Sequence, residues 1–143
     1  AVFYEWVTEG CFLPGVTKIQ KEQTFGESRL DFLVETEGKQ TYVEVKGVTL
    51  EENGVVRFPD APTKRGVKHI ETLIRAVQMG YDAALFFVVQ MQDVLYLEPN
   101  DRTHPAFGDA LRRAKKAGVR LEAYDCRVTP YCLSLRNPVS IRL

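Results

Sequence analysis

The sequence predicts an α/β fold, with a mixed central sheet flanked by helices. Three observations carry this. The stretch Arg29 to Lys46, RLDFLVETEGKQTYVEVK, alternates in character on both sides of a Glu37-Gly38 turn, as a hairpin does. Lys64 to Met79 repeats apolar residues at helical spacing, and the continuous apolar run Ala83 to Gln90 after it suits a strand buried on both faces. Phe107 to Gly118 repeats the helical pattern, and Val119 to Tyr124 the strand. Helix crossovers bring strands in parallel, so the hairpin and the later strands together make a mixed sheet.

Taken in order, Ala1 to Gly10 places Val2, Phe3, Trp6 and Val7 on one side at helical spacing, with Gly10 as the cap. Residues 11–16, CFLPGV, read as a loop. Thr17 to Thr24 is an edge-like strand with much polar content, and Gly26-Glu27-Ser28 turns into the hairpin. In the hairpin, Leu30, Phe32 and Val34 are expected on one face, with Arg29, Asp31, Leu33 and Glu35 on the other. Tyr42, Glu44 and Lys46 share a face of the second strand, opposite Val43 and Val45. Asn53-Gly54 signals a further turn, and Val55 to Phe58 returns as a fourth strand, so the first half reads as an antiparallel meander.

Phe58-Pro59-Asp60-Ala61-Pro62 is a rigid, non-helical connection. Thr63 is a good N-cap for the helix that follows, and Gly80 closes it. Val67, Ile70, Leu73, Ile74 and Val77 form its apolar stripe; Lys64, Lys68 and Arg75 lie opposite, with Arg65 and His69 on the flank. Asp93 to Pro105 reads as a loop. Phe107, Ala110, Leu111 and Ala114 stripe the second helix, whose Arg112, Arg113, Lys115 and Lys116 favour its C-terminus electrostatically. Arg127 to Leu143 is expected to close the fold as a hairpin around Arg136-Asn137-Pro138.

A chain of 143 residues is most economically one domain, spanning 1–143. Hydrophobic content of 45% and charged content of 27% are those of a soluble globule. The net charge of zero excludes a strongly basic nucleic-acid cloak, so any DNA binding must come from local clustering or another domain. Cys11, Cys126 and Cys132 are odd in number and lack metal-type spacing, which reads as reduced thiols and a cytoplasmic setting. No apolar run reaches membrane-spanning length and no signal peptide is visible.

If the hairpin strands pair through Glu37-Gly38, Asp31 comes close to Glu44 and Lys46. Unpaired charge on half-buried strands costs several kcal/mol, so such a cluster is either a solvated edge or a site completed by a cation and an anionic substrate. Asp31, a dozen residues, then Glu44-Val45-Lys46 resembles the metal site of PD-(D/E)XK nucleases. That resemblance implies Mg²⁺ or Mn²⁺ on Asp31, Glu44 and the Val45 carbonyl. Lys46 would then stabilise the nucleophile and the phosphate charge.

A wider likeness covers almost the whole chain. YVEVKGVTLEENGVVRFPDAPTKRGVKHIETL from Tyr42 to Leu73 resembles the sugar fermentation stimulation protein A (SfsA) family. So do GESRLDF at Gly26 to Phe32, the strand ALFFVVQ and the tail AYDCRV. The resemblance implies a nuclease-like C-terminal domain with a restriction-endonuclease-like core, an order of elements that the pattern suits independently. In the family an OB-type barrel precedes this domain; here the chain begins directly in a helix-like segment. Nonspecific double-stranded DNA is the implied partner, held through Arg65, Lys68 and His69. Lys64 and Arg75 read as a solvated face, and the residues leave His69 open between general acid, phosphate donor and core-edge side chain. Glu5, in the first helix, is a candidate to join the metal, and Asp60 to orient a cation or Arg65. Two functions fit: a metal-dependent nuclease that hydrolyses DNA phosphodiester bonds, or a non-catalytic, nonspecific DNA-binding regulator of sugar metabolism that keeps the fold. A protein-interaction domain with a fossil site is a third. A glycosidase is disfavoured by Lys46 beside the carboxylates and by the lack of an aromatic sugar platform. Neither an oligomeric state nor membrane association is indicated.

Overall fold

A computed structural model describes Tyr4 and residues 15–128 and 133–143. The expected helix over residues 1–10 with its Glu5, and the thiols of Cys11 and Cys132, lie outside the described residues.

A six-stranded sheet forms the centre. Its strands are β1 (Val16–Phe25), β2 (Ser28–Thr36), β3 (Lys39–Val48), β6 (Asp82–Val89), β8 (Arg120–Val128) and β9 (Leu133–Pro138), in the spatial order β1-β2-β3-β6-β8-β9. β1, β2 and β3 pair antiparallel, β3, β6 and β8 parallel, and β8 with β9 antiparallel. The sheet is therefore mixed, as expected, and its parallel centre is the part buried on both faces. The alternation in β6 is complete. Ala83, Leu85, Phe87 and Val89 join the core beneath helices α1 (Lys64–Gln78) and α2 (Pro105–Ala117). Ala84, Phe86 and Val88 join a smaller core on the opposite face, with Val34, Val43 and Cys126.

Each helix is built as its sequence requires. Thr63 is extended and its hydroxyl accepts the Gly66 N–H, which caps α1. Ile70, Leu73 and Ala76 bury the apolar stripe. α2 starts at Pro105, whose missing N–H costs nothing there, and ends at Gly118 in the left-handed conformation with φ 101°. Among the described residues no helix is long and apolar enough to cross a membrane.

Four expectations need correction. The antiparallel meander ends at β3. The strands β4 (Leu50–Glu52) and β5 (Val55–Phe58) form a hairpin around Asn53-Gly54 but leave the main sheet. They make a second, three-stranded sheet with β7 (Tyr96–Pro99), which lies inside the stretch read as a loop. β7 has four residues, two of them buried, and the register pairs Arg57 with Glu98, whose side chains meet at 2.8 Å. Arg136-Asn137-Pro138 is strand rather than turn, because buried Asp125 on β8 accepts hydrogen bonds from both the Arg136 side chain and the Asn137 N–H. Leu30 also leaves the face of Phe32 and Val34: it belongs to the helix-side core, and they to the other.

The last correction has a local cause. The β2–β3 ladder runs from Thr36 opposite Lys39 to Phe32 opposite Val43 and stops there. One residue further on, the strands no longer pair through backbone alone, and the period-2 alternation breaks.

Candidate metal and phosphate site

The break in the ladder builds the site. Asp31 and Glu44 occupy the next rung. The Asp31 N–H donates to Glu44 Oε1 at 3.2 Å, and the Val45 N–H donates to Asp31 Oδ2 at 2.8 Å. Carboxylates thus supply two hydrogen bonds where the backbone ladder stops, and the two acids meet in a notch between neighbouring strands. Glu44 is buried and Asp31 half-buried.

Lys46 follows on the same face of β3. Its ammonium lies 3.1 Å from Glu44 Oε2 and 3.1 Å from His69 Nδ1. His69 reaches this point from α1, and its Nδ1 closely contacts Glu44 Oε2. The sequence placed His69 on the flank of the helix; the structure buries it against the carboxylate at 5% exposure. Nδ1 has one lone pair on a neutral ring, so Lys46 and a protonated Glu44 compete for it.

The electrostatics match this crowding. Burial, and then the neighbouring Asp31 carboxyl, push the Glu44 carboxyl up to about 7, although Lys46 works against the rise. Burial, and then the Lys46 and Arg65 charges, push His69 down to about 4, so its ring is neutral at pH 7. One ammonium is too little positive charge for this pair of acids. The donor set, hard carboxylate oxygens without a thiolate, fits Mg²⁺, Mn²⁺ or Ca²⁺. Among the described residues no three His, Cys, Asp or Glu side chains converge as a complete metal cage. That suits an ion which keeps several waters and takes few protein ligands.

Beside His69 a cleft of about 400 Å³ opens between the start of β2 and the first turns of α1. Arg65 and Lys68, the expected phosphate-holding pair, line it. So do Arg29 and Lys64, which were placed on a strand face and a solvated helix face. Periodicity put Lys64 outward correctly, but it carried no sign that β2 closes against that turn. Asp60 is exposed, and among the described residues no hydrogen bond or ion pair ties it to Arg65. The loop that carries Asp60 is fixed instead by buried Asn100, whose side chain donates to the Pro59 carbonyl and whose N–H donates to the Phe58 carbonyl. The Phe58–Pro59 bond is cis.

Comparison with known proteins agrees with this reading of the fold. The sugar fermentation stimulation protein RE domain matches residues 1–131. A sugar fermentation stimulation protein homolog of Clostridium beijerinckii is 49% identical over 99% of this chain and 63% of its own length. One of Desulfitobacterium hafniense is 50% identical over 99% of this chain and 62% of its own. A solved structure described as Pyrococcus furiosus SfsA in complex with Ca²⁺ superposes with a TM-score of 0.92 at 28% identity, over 99% of this chain and 62% of that one. The chain therefore spans less than two thirds of the length of the curated relatives it matches.

Proposed function

The chain belongs to the sugar fermentation stimulation protein family, and from that premise we propose that it binds DNA and holds a divalent cation in the notch between β2 and β3. The observation that carries the proposal is the pairing of Asp31 and Glu44 across an open rung, with Glu44 buried and short of positive charge. The Ca²⁺ complex of the Pyrococcus furiosus relative supports a cation site in this fold. Asp31 and Glu44 are the carboxylate ligands. Val45 turns its N–H towards Asp31, and on an extended strand its carbonyl points to the same neighbour, which suits it as a third ligand.

A bound Mg²⁺ or Mn²⁺ supplies charge stabilisation and an acidified water. The chain's own groups do the rest. Lys46 offers its ammonium to the charge that grows on phosphate oxygens during phosphodiester cleavage. Arg65 and Lys68 hold phosphate, and His69 fixes Glu44 and Lys46 on the notch side. Nothing in these elements forms a dedicated groove reader, which favours DNA binding without sequence preference.

Titration of Mn²⁺ into the protein, followed by calorimetry, tests the site: Asp31→Ala is expected to abolish binding, and unchanged affinity would remove the assignment. A second reading, a DNA binder without turnover, is favoured by the lack of a third acidic ligand among the described residues. It predicts salt-sensitive DNA binding together with intact plasmid after long incubation with metal.

A further inference from the structure

We propose that the cleft beside the notch is a separate seat for a backbone phosphate of DNA, with Arg29 and Lys64 joining Arg65 and Lys68 as its cations and Ser28 as its floor. This rests on DNA being the partner, as proposed above, and is independent of the metal.

Four cations, Arg29, Lys64, Arg65 and Lys68, line this cleft against one acid, Glu27. In a chain of zero net charge that is a local excess of three. All four are exposed, and among the described residues none of them is paired with a carboxylate. Other arginines are neutralised: Arg57 by Glu98, Arg112 by Asp101 and Arg136 by Asp125. No acid occupies the first turn of α1, so the positive end of its dipole adds to the field. Thr63 caps only the Gly66 N–H, and the N–H groups of Lys64 and Arg65 stand before the first intrahelical bonds.

The floor supplies an observation of a different kind. Ser28 is 6% exposed, lines the cleft and lies 2.8 Å from the Thr72 hydroxyl. Thr72 is also 2.9 Å from the Lys68 carbonyl. One Thr72 proton cannot serve both. While it rests on the carbonyl, Ser28 can donate to Thr72; when it turns to Ser28, the Ser28 proton is free for another acceptor, and Ser28 lines the cleft. The Lys68 carbonyl still has its place in the helix ladder, so the switch leaves no buried group unpaired. A buried hydroxyl with a proton to give, in a cleft lined by four cations that no carboxylate of the described residues pairs, suits a phosphate oxygen.

The test is anisotropy of a fluorescein-labelled DNA duplex titrated with the chain in EDTA over a series of KCl concentrations. Arg29→Gln with Lys64→Gln should weaken binding about tenfold and reduce the slope of log K against log salt by about 2, one for each lost phosphate cation. Lys115→Gln with Lys116→Gln, the same charge loss on the last turn of α2, should leave both values near wild type. Ser28→Ala alters no charge, so it should lower affinity at every salt concentration and keep the wild-type slope. Mn²⁺ binding by the cleft variant should be unchanged, which keeps failure of this proposal distinct from failure of the metal site. No binding by the wild type in EDTA, or equal losses in the cleft and α2 variants, would overturn it; an unaffected Ser28→Ala would remove the hydroxyl from the seat.

Discussion

Asp31 and Glu44 stand across the rung where the β2–β3 ladder opens, and the two strands are held there by carboxylates: Glu44 accepts the Asp31 N–H and Asp31 accepts the Val45 N–H. The same oxygens that close the sheet are the ones proposed above as ligands of a cation. Site and fold therefore share atoms, and any test of one must control for the other.

Asp31→Asn makes that separation. The amide oxygen still accepts the Val45 N–H, so thermal stability should stay within about 1 kcal/mol of wild type. The charge is gone, and Mn²⁺ affinity should fall by at least about tenfold, since loss of even a supporting partner costs that much. Asp31→Ala loses both and should add a penalty of about 1–3 kcal/mol for the part-buried N–H left unpaired. Calorimetry with Mn²⁺ and urea melts on the two variants check this. Equal stability losses would mean that the Val45 bond carries nothing.

Protons compete with the cation. Glu44 keeps its proton up to about 7, and a ligand carboxylate must lose it, so Mn²⁺ affinity should rise as pH passes from 6 to 8, with release of a proton. Stability without metal has two opposing slopes. The folded chain retains a Glu44 proton that the unfolded chain gives up above its ordinary 4.5, so this group lowers stability as pH rises from about 4.5 to 7. His69 does the reverse: the unfolded chain takes up a proton below 6.5 that the folded chain refuses until about 4, so stability falls as pH drops through that window. Wild type should be nearly flat between pH 5 and 6.5. Glu44→Gln should leave only the acid-side loss, and His69→Gln only the fall towards neutral pH. Urea melts in EDTA at half-unit intervals would show whether the slopes separate.

These residues also mark how far the sequence could be read. The meeting of Asp31 with Glu44 was legible because the register of a hairpin turning at Glu37-Gly38, carried one residue past its last pair, sets them opposite, and Lys46 follows Glu44 on the same strand face. The helices were legible from capping and stripe. The rest needed contacts between distant segments. β7 is too short to show a period, and it is strand because Val55 to Phe58 lies beside it. Pro138 suggested a turn, but β9 is an edge strand, where proline is tolerated. His69 had four cations on its own helix and no sequence neighbour to reveal Glu44, which lies 25 positions earlier. Leu30 followed the alternation of its strand until the open rung reversed it.

The closing strand should be sensitive to one ion pair. Asp125 is 3% exposed and accepts from Arg136 Nη2 at 2.5 Å, from the Asn137 N–H at 2.8 Å and from the Asp93 N–H at 3.4 Å. Arg136→Leu leaves a buried charge without its cation and should cost about 3–5 kcal/mol. Arg112→Leu breaks an exposed pair with Asp101 at 2.7 Å and should cost no more than about 1 kcal/mol. Urea melts of the two variants provide the comparison, and equal losses would show that burial of Asp125 does not decide the matter.

Gly66 joins the packing of the helices to the cleft. Replacing a helical glycine with alanine usually stabilises by about 0.5–1 kcal/mol. Here an added Cβ would lie 2.8 Å from Thr63 Cγ2, 3.1 Å from Thr63 Oγ1 and 3.2 Å from Phe107 Cε2. The first two atoms belong to the cap of α1, and the third to a fully buried ring of α2 that lies 5.1 Å from the Phe58 ring. Phe107 is fully buried, so the strain is expected to fall on the first turn of α1, which carries Lys64, Arg65 and Lys68. Gly66→Ala should therefore destabilise by about 1–3 kcal/mol, and DNA binding in EDTA should weaken although no charge is lost. Phe107→Leu in the same chain frees space at the ring and should restore part of both. A Gly66→Ala protein as stable as wild type would show that the α1–α2 contact yields, and that the cleft is not held in place by it.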